Sequence, residues 1–164
     1  MEAHANTMHR IEKDIEVTAP LRVVYNQWTQ FESFPQFMDG VKAVHQLDEA
    51  HLAWRAEILG QEVEWKAEII EQIPDQRITW RSTSGHTNNG TVSFLAIDEH
   101  TTKVFLVIEY APEGAAEKIA NALGILSFRI AEDLRRFKEF IQTRGEATGG
   151  WRGSIPETQP VQAF

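Results

Sequence analysis

The chain has 164 residues, of which 42% are hydrophobic and 24% charged, a composition typical of one soluble domain. It contains no cysteine, which excludes disulfides, thiolate catalysis and zinc–sulfur sites. The net charge of -8 argues against a nucleic-acid partner, because the phosphates would be repelled.

The N-terminal part predicts one strand followed by short helices. Residues 1–9 are polar, and we expect them to be disordered. Apolar and charged residues then alternate from Ile11 to Val17, which predicts a strand with one face in water. A short helix is expected from Leu21 to about Gln30. A second short helix or turn follows from Phe31 to Met38 and is interrupted by Pro35.

Residues 41–111 predict a series of strands, because short apolar runs alternate with turn signals. The predicted strands lie near 41–48, 51–59, 61–73, 76–84, 89–98 and 101–111. Connections this short join antiparallel neighbours, so the sequence predicts a meander.

Two hairpins can be aligned from the sequence if Leu59-Gly60 and Pro74-Asp75 are two-residue loops. The resulting pairs are Ile58–Gln61, Trp54–Trp65, Arg55–Glu64, Ile69–Trp80 and Glu68–Arg81. Both alignments place tryptophan and aliphatic residues on one face and pair opposite charges on the other.

The last predicted element is a long amphipathic helix from Glu113 to Arg144, with Gly145 as its C-terminal cap. Its apolar stripe is Ile119, Leu123, Leu126, Ile130, Leu134, Phe137 and Ile141. A helix of about 30 residues is roughly 45 Å long and needs a partner surface of similar length, which only a sheet can supply here. Residues 146–164 predict an irregular tail.

These elements predict an α+β domain over residues 10–145, in which a curved antiparallel sheet of about seven strands grips the C-terminal helix. A strongly curved sheet and a straight helix touch at two ends more easily than in the middle. We therefore expect a ligand cavity in the gap.

The order of elements and several segments resemble the START-like, or helix-grip (SRPBCC), superfamily. Within it, the chain is similar to bacterial polyketide cyclase/dehydrase-type proteins, with ubiquinone-binding START-like proteins as relatives. The segments that carry the resemblance are Val17–Pro20, Val24–Trp28, Phe31–Met38, Val41–Val44, Ile78–Ser82, Gly90–Phe94, Arg136–Lys138 and Thr148–Gly153. The resemblance implies the helix-grip fold and binding or turnover of an apolar molecule, and "cyclase" is here a family label.

The predicted cavity residues face the helix from the sheet and the short helices, or belong to the helix stripe. They are Phe34, Phe37, Met38, Trp54, Trp65, Ile69, Trp80, Ser82, Phe94, Leu106, Tyr110, Leu123, Leu126 and Ile130. Three inward tryptophans are more bulk than a small filled core needs, although aromatic residues inside a sheet also form ordinary core.

Polar residues on the predicted inner face are Glu71, Ser82, Ser84 and Tyr110, with Lys13 near the rim. They would orient a ligand carbonyl or hydroxyl, or else form structural hydrogen bonds. If the protein is an enzyme, we expect Tyr110 and Glu71 to position its substrate.

No metal or cofactor is expected. The six histidines are scattered without metal-ligand spacing. No serine has a nucleophile-elbow context, and no glycine-rich loop opens a helix after a strand.

The sequence thus favours a cytoplasmic protein that binds, transports or sequesters an apolar small molecule such as a lipid, isoprenoid, quinone or polyketide. The alternatives are a cyclase/dehydrase of the aromatase type and a ligand-controlled interaction module. No apolar run reaches the ~18 residues of a membrane span, so no integral membrane association is expected. Outward-facing Phe105 and Val107 would suit a homodimer, unless the tail with Trp151 covers them.

Overall fold

The computed structural model describes residues 9–58, 60–85, 87–111 and 116–156, without the side chains of residues 116–122. Its strands are β1 (His9–Val17), β2 (Val41–Gln46), β3 (His51–Ile58), β4 (Gln61–Ile73), β5 (Arg77–Gly85), β6 (Thr87–Asp98) and β7 (Thr101–Ala111). Its helices are α1 (Leu21–Trp28), the 3-10 helix Phe31–Gln36 and α2 (Ala116–Arg144).

The seven strands form one antiparallel sheet in the order β1-β7-β6-β5-β4-β3-β2. Strands β2 to β7 follow one another as the predicted meander, and β1 joins the far edge by pairing with β7. With α2 held by the sheet, this arrangement confirms the predicted helix-grip fold.

The long helix also ends where the sequence predicts. Gly145 adopts a left-handed backbone with φ 77°, and its N–H donates to the carbonyl of Ile141 over 2.8 Å. Glycine accepts this conformation without a steric cost, so it closes the helix. The predicted start at Glu113 lies outside the described residues.

The pairing predicted for the first hairpin is confirmed, with Trp54 opposite Trp65 and Arg55 opposite Glu64. In the second hairpin the predicted pairs Ile69–Trp80 and Glu68–Arg81 are also present.

The turn of the second hairpin is longer than predicted. Ile73 pairs with Arg77, so the turn includes Gln76, and Asp75 has the left-handed φ of 64°. A bulge between Ile69 and Glu71 absorbs the extra residue and restores the predicted register beyond it.

This bulge corrects the prediction that Glu71 faces the interior. Gln72 takes the inward position and is 1% exposed, whereas Glu71 lies at the surface and accepts a 2.8 Å hydrogen bond from Arg77. That bond is the main cause of a lowered pKa of Glu71.

Ser82 and Ser84, which were predicted to lie on the inner face, also have surroundings that differ from the prediction. A second irregularity between Lys66 and Ala67 shifts the pairing of β5, and Ser84 is exposed. The ladder between β5 and β6 ends at the pair Trp80–Gly90, and the Ser82 hydroxyl accepts from the backbone N–H of Asn88 over 3.1 Å. Ser82 therefore links β5 to β6 beyond the last pair of their ladder.

The C-terminal part of α2 is tightly packed against the domain. Leu134, Phe137 and Ile141 are at most 1% exposed. The Phe137 ring lies 4.9 Å from that of Trp28 and 5.3 Å from that of Phe37, both in edge-on geometry. The gap expected at the middle of the helix is present there, because the helix residues that line it run from Leu126 to Leu134.

The described part of the tail, residues 146–156, is attached to α1 rather than to the outer face of β7. The side-chain amide of buried Gln27 donates from Nε2 to the Thr148 hydroxyl over 3.1 Å and accepts at Oε1 from the Thr148 backbone N–H over 2.8 Å. The guanidinium of Arg152 contacts Asp75 at 2.6 Å. Phe105 stays 37% exposed, and the homodimer stays a prediction.

The uneven packing of α2 generates a stability prediction. We expect Phe137→Ala to lower the free energy of unfolding by about 3–5 kcal/mol, because it empties a filled aromatic cluster. Leu126→Ala should cost less than about 2 kcal/mol, because that side chain is partly exposed beside a void. Urea unfolding of both variants measures the difference, and equal losses would contradict the uneven packing.

Candidate functional site

An apolar cavity of about 180 Å³ lies between the sheet and the middle of α2. Ten of the predicted site residues line it, namely Phe34, Met38, Trp54, Trp65, Ile69, Trp80, Leu106, Tyr110, Leu126 and Ile130. Their role in binding stays a prediction, but the structure places all ten around one cavity.

Four other predicted residues do not line this cavity. Phe37 packs between Phe137 and Phe140, with ring centroids 5.3 and 5.1 Å away. Phe94 packs on Tyr25 and Trp28 instead. Leu123 and Ser82 also lie outside the cavity wall. Inward orientation alone does not separate a lining residue from a core residue, because the end of the sheet near Phe137 is filled.

The tryptophans form much of the sheet side of the cavity. Trp54 and Trp65 are stacked, with centroids 5.7 Å apart and planes 2° from parallel. The Trp80 ring lies directly over Gly90, where an added Cβ would stand 2.5 Å from the ring. Gly90 thus leaves the space in which Trp80 lies flat on β6.

Asn88 fixes the far edge of Trp80 and also lines the cavity. Its Oδ1 accepts a 3.3 Å hydrogen bond from the Trp80 ring N–H. Asn88 lies opposite Tyr110 in the β6–β7 ladder, and Tyr110 is 6% exposed. Two polar side chains therefore stand together at this side of an otherwise apolar wall.

Sequence reasoning missed the polar residues Glu57, Asn88, Arg129 and Asp133, which all line the cavity. The sequence did contain a signal for the two helical residues, namely their spacing from the apolar stripe. Arg129 and Asp133 are each three positions from a stripe residue, Leu126 and Ile130 respectively, and such positions border the stripe.

Asp133 lines the cavity and is a titratable group whose pKa is clearly shifted. Desolvation by burial raises its pKa to about 6, while a backbone hydrogen bond from Asp39 and the charge of Arg136 oppose the rise. The Arg136 guanidinium donates to Asp133 Oδ1 over 3.2 Å. This carboxyl can gain or lose a proton near neutral pH, which a solvated aspartate does not do.

The shifted pKa of Asp133 generates a pH-dependent prediction. The folded protein holds this proton more tightly than the unfolded chain, whose value is near 3.8. The contribution to stability is therefore present below about pH 4 and is lost as the pH rises to about 6. We expect Asp133→Asn to gain roughly 1–2 kcal/mol over the unsubstituted protein between about pH 4 and pH 7.

Glu132→Gln is the matched control on the same helix. Its hydrogen bond from Arg135 lowers the Glu132 pKa, so that carboxylate adds stability as the pH rises. The two variants should thus deviate from the unsubstituted protein in opposite directions in urea unfolding across this range. Parallel curves for Asp133→Asn and the unsubstituted protein would show that Asp133 does not titrate abnormally.

None of the described helices combines the length and the hydropathy that crossing a lipid bilayer would take. In the described part of the chain, no three histidine, aspartate or glutamate side chains meet as metal ligands. The absence of a metal or cofactor stays a prediction.

Comparison with solved structures supports the fold. The chain superposes on the Zhui aromatase/cyclase of a Streptomyces species with a TM-score of 0.73 at 16% identity, covering 88% of this chain and 100% of that chain. It superposes on a START superfamily protein of Mycobacterium smegmatis with a TM-score of 0.70 at 17% identity, covering 81% of this chain and 99% of the other. Identities this low show the shared fold and nothing about activity.

Sequence comparison identifies the family. The chain is 43% identical over 149 residues to an uncharacterized 17.2 kDa protein from the melC2–rnhH intergenic region of Streptomyces lincolnensis, covering 90% of this chain and 99% of that protein. A family model described as polyketide cyclase / dehydrase and lipid transport matches residues 17–139. The chain therefore belongs to the polyketide cyclase/dehydrase and lipid transport family.

Proposed function

We propose that this protein binds an apolar, ring-containing small molecule in the cavity under the middle of α2. The observation that carries the proposal is an unfilled space of about 180 Å³ with tryptophans in its wall, next to a large cluster of buried hydrophobic residues. Protein interiors are close-packed, so a void of this size is a departure from ordinary core packing.

The size of the cavity limits the part of the ligand that it can enclose. An engineered apolar cavity of about 150 Å³ stays dry and binds benzene. A cavity of about 180 Å³ suits a body of one or two rings. A longer ligand, such as an isoprenoid or a polyketide, has to extend through the mouth.

A second candidate function, a cyclase or dehydrase, is favoured by one observation. Asp133 places a carboxyl with a pKa of about 6 in the cavity wall. A group that titrates near neutral pH suits general acid–base catalysis, such as proton removal beside a ligand carbonyl. Glu71, expected from the sequence to act in an enzyme, lies outside the cavity and pairs with Arg77.

The two candidates predict different behaviour for one variant. In a binding protein, Asp133→Asn should leave affinity for a neutral apolar ligand within about tenfold, or ~1.4 kcal/mol. In an enzyme it should remove turnover of a polyketone while leaving binding in place. Mass spectrometry of the incubated polyketone measures the turnover, and product formed by the unsubstituted protein but not by the variant would favour the enzyme.

The binding proposal is tested by filling the cavity. We expect Leu126→Trp to lower affinity for 2-naphthalenemethanol by at least about tenfold, because the larger ring takes the ligand's place. Quenching or shift of the fluorescence of Trp54, Trp65 and Trp80 reports the binding. Ile125→Trp is the matched control, since Ile125 neighbours Leu126 but is 48% exposed.

The control should bind the probe within about twofold of the unsubstituted protein. Urea unfolding separates loss of binding from loss of folding. If Leu126→Trp destabilises the protein strongly and no apolar probe perturbs tryptophan emission, the space is ordinary core and the proposal fails. Native mass spectrometry of the protein purified from its own host would identify the ligand itself.

A further inference from the structure

One cation in the cavity wall, Arg129, has no hydrogen-bond or ion-pair partner among the described residues. Within the part of the chain that the structure describes, Arg129 is the only basic residue that lines the cavity. It forms no hydrogen bond or ion pair with any described residue, whereas Arg135 and Arg136 on the same helix both do. Its guanidinium donors are therefore available at the rim of an apolar space.

Gly40 makes room for this guanidinium. A Cβ added to Gly40 would stand 3.2 Å from Arg129 Nη1 and 3.1 Å from the carbonyl oxygen of Glu57. Gly40 has no positive φ, so glycine is explained at this position by the close approach and not by backbone conformation. The Arg129 head group is thus held against the turn between the 3-10 helix and β2.

The acidic residues nearby are already paired with other cations. Glu57 lies 3.5 Å from Lys42. Asp133 and Asp39 lie 3.2 and 4.0 Å from Arg136. None of these three carboxylates lies within ion-pair distance of Arg129, although the charge of Arg129 contributes to lowering the pKa of Asp133.

We propose that Arg129 binds an anionic oxygen of the ligand, so that the ligand is an apolar acid with its ring body in the cavity and its carboxylate or enolate at the rim. This inference rests on the proposed function and makes it more specific. A guanidinium presents its donors in a fork that matches a carboxylate, and such charge-assisted bonds are stronger than neutral ones. The ordinary alternative is an arginine that only contacts water.

The test compares two probes with the same ring system. The acid is 2-naphthoate, and its neutral partner is 2-naphthalenemethanol. We expect Arg129→Gln to weaken binding of the acid about tenfold or more and to change binding of the alcohol less than about twofold. Arg129→Lys should recover part of the affinity for the acid, because it restores the charge but not the fork.

Arg135→Gln is the matched control, because it removes the same charge from the same helix at a residue outside the cavity wall. It should leave the affinities for both probes unchanged. Isothermal titration calorimetry measures the affinities of all variants, and urea unfolding checks that each is folded.

Three results would overturn the inference. If Arg129→Gln binds the acid as well as the unsubstituted protein does, Arg129 only contacts water. If Arg129→Gln weakens both probes equally, the residue shapes the cavity and does not recognise charge. If the unsubstituted protein binds neither probe, the proposed function fails for ligands of this size and the present inference fails with it. The first two results leave the proposed function intact.

Discussion

The structure depends on the contact between the C-terminal part of α2 and two aromatic residues at the ends of the short helices, Trp28 and Phe37. Phe137 is fully buried between Trp28 and Phe37, one turn from Ile141, which is also fully buried. Aromatic burial of this extent dominates core energetics. Because this contact holds the helix, its middle can pass over the curved sheet without filling the space beneath it. The cavity can therefore persist because the packing around Phe137 holds α2 in place.

A second constraint fixes the elements around that contact. The tail after α2 returns to α1, where Gln27 bonds Thr148 and Arg152 meets Asp75. Asp75 lies in the β4–β5 turn and has a left-handed backbone. The tail therefore ties the first helix to a turn of the sheet through the partly buried ion pair Arg152–Asp75 and through Gln27, whose buried amide needs partners once it is removed from water.

Much of the fold was predictable from local patterns. Alternation and turn spacing predicted the strands, and the pairs Trp54–Trp65 and Ile69–Trp80 followed from the assumed turn positions, in agreement with charge and aromatic matching. The bulge before Glu71 was not predictable, because it compensates a turn whose length depends on distant contacts. One inserted residue reverses the facing of those that follow, and Gln72 rather than Glu71 points inward.

For the site, the sequence by itself determined most of the residues that face the helix, because side-chain periodicity sets the face of each strand and helix away from bulges. Only the tertiary structure decided which of them surround empty space: Leu126 and Trp80 line the cavity, whereas Phe37 and Phe94 belong to filled core. It also decided that Arg129 and Asp133 border that space. The reason is physical, since a void and the desolvation of a carboxyl depend on how far the sheet curves from the helix, which no local pattern encodes.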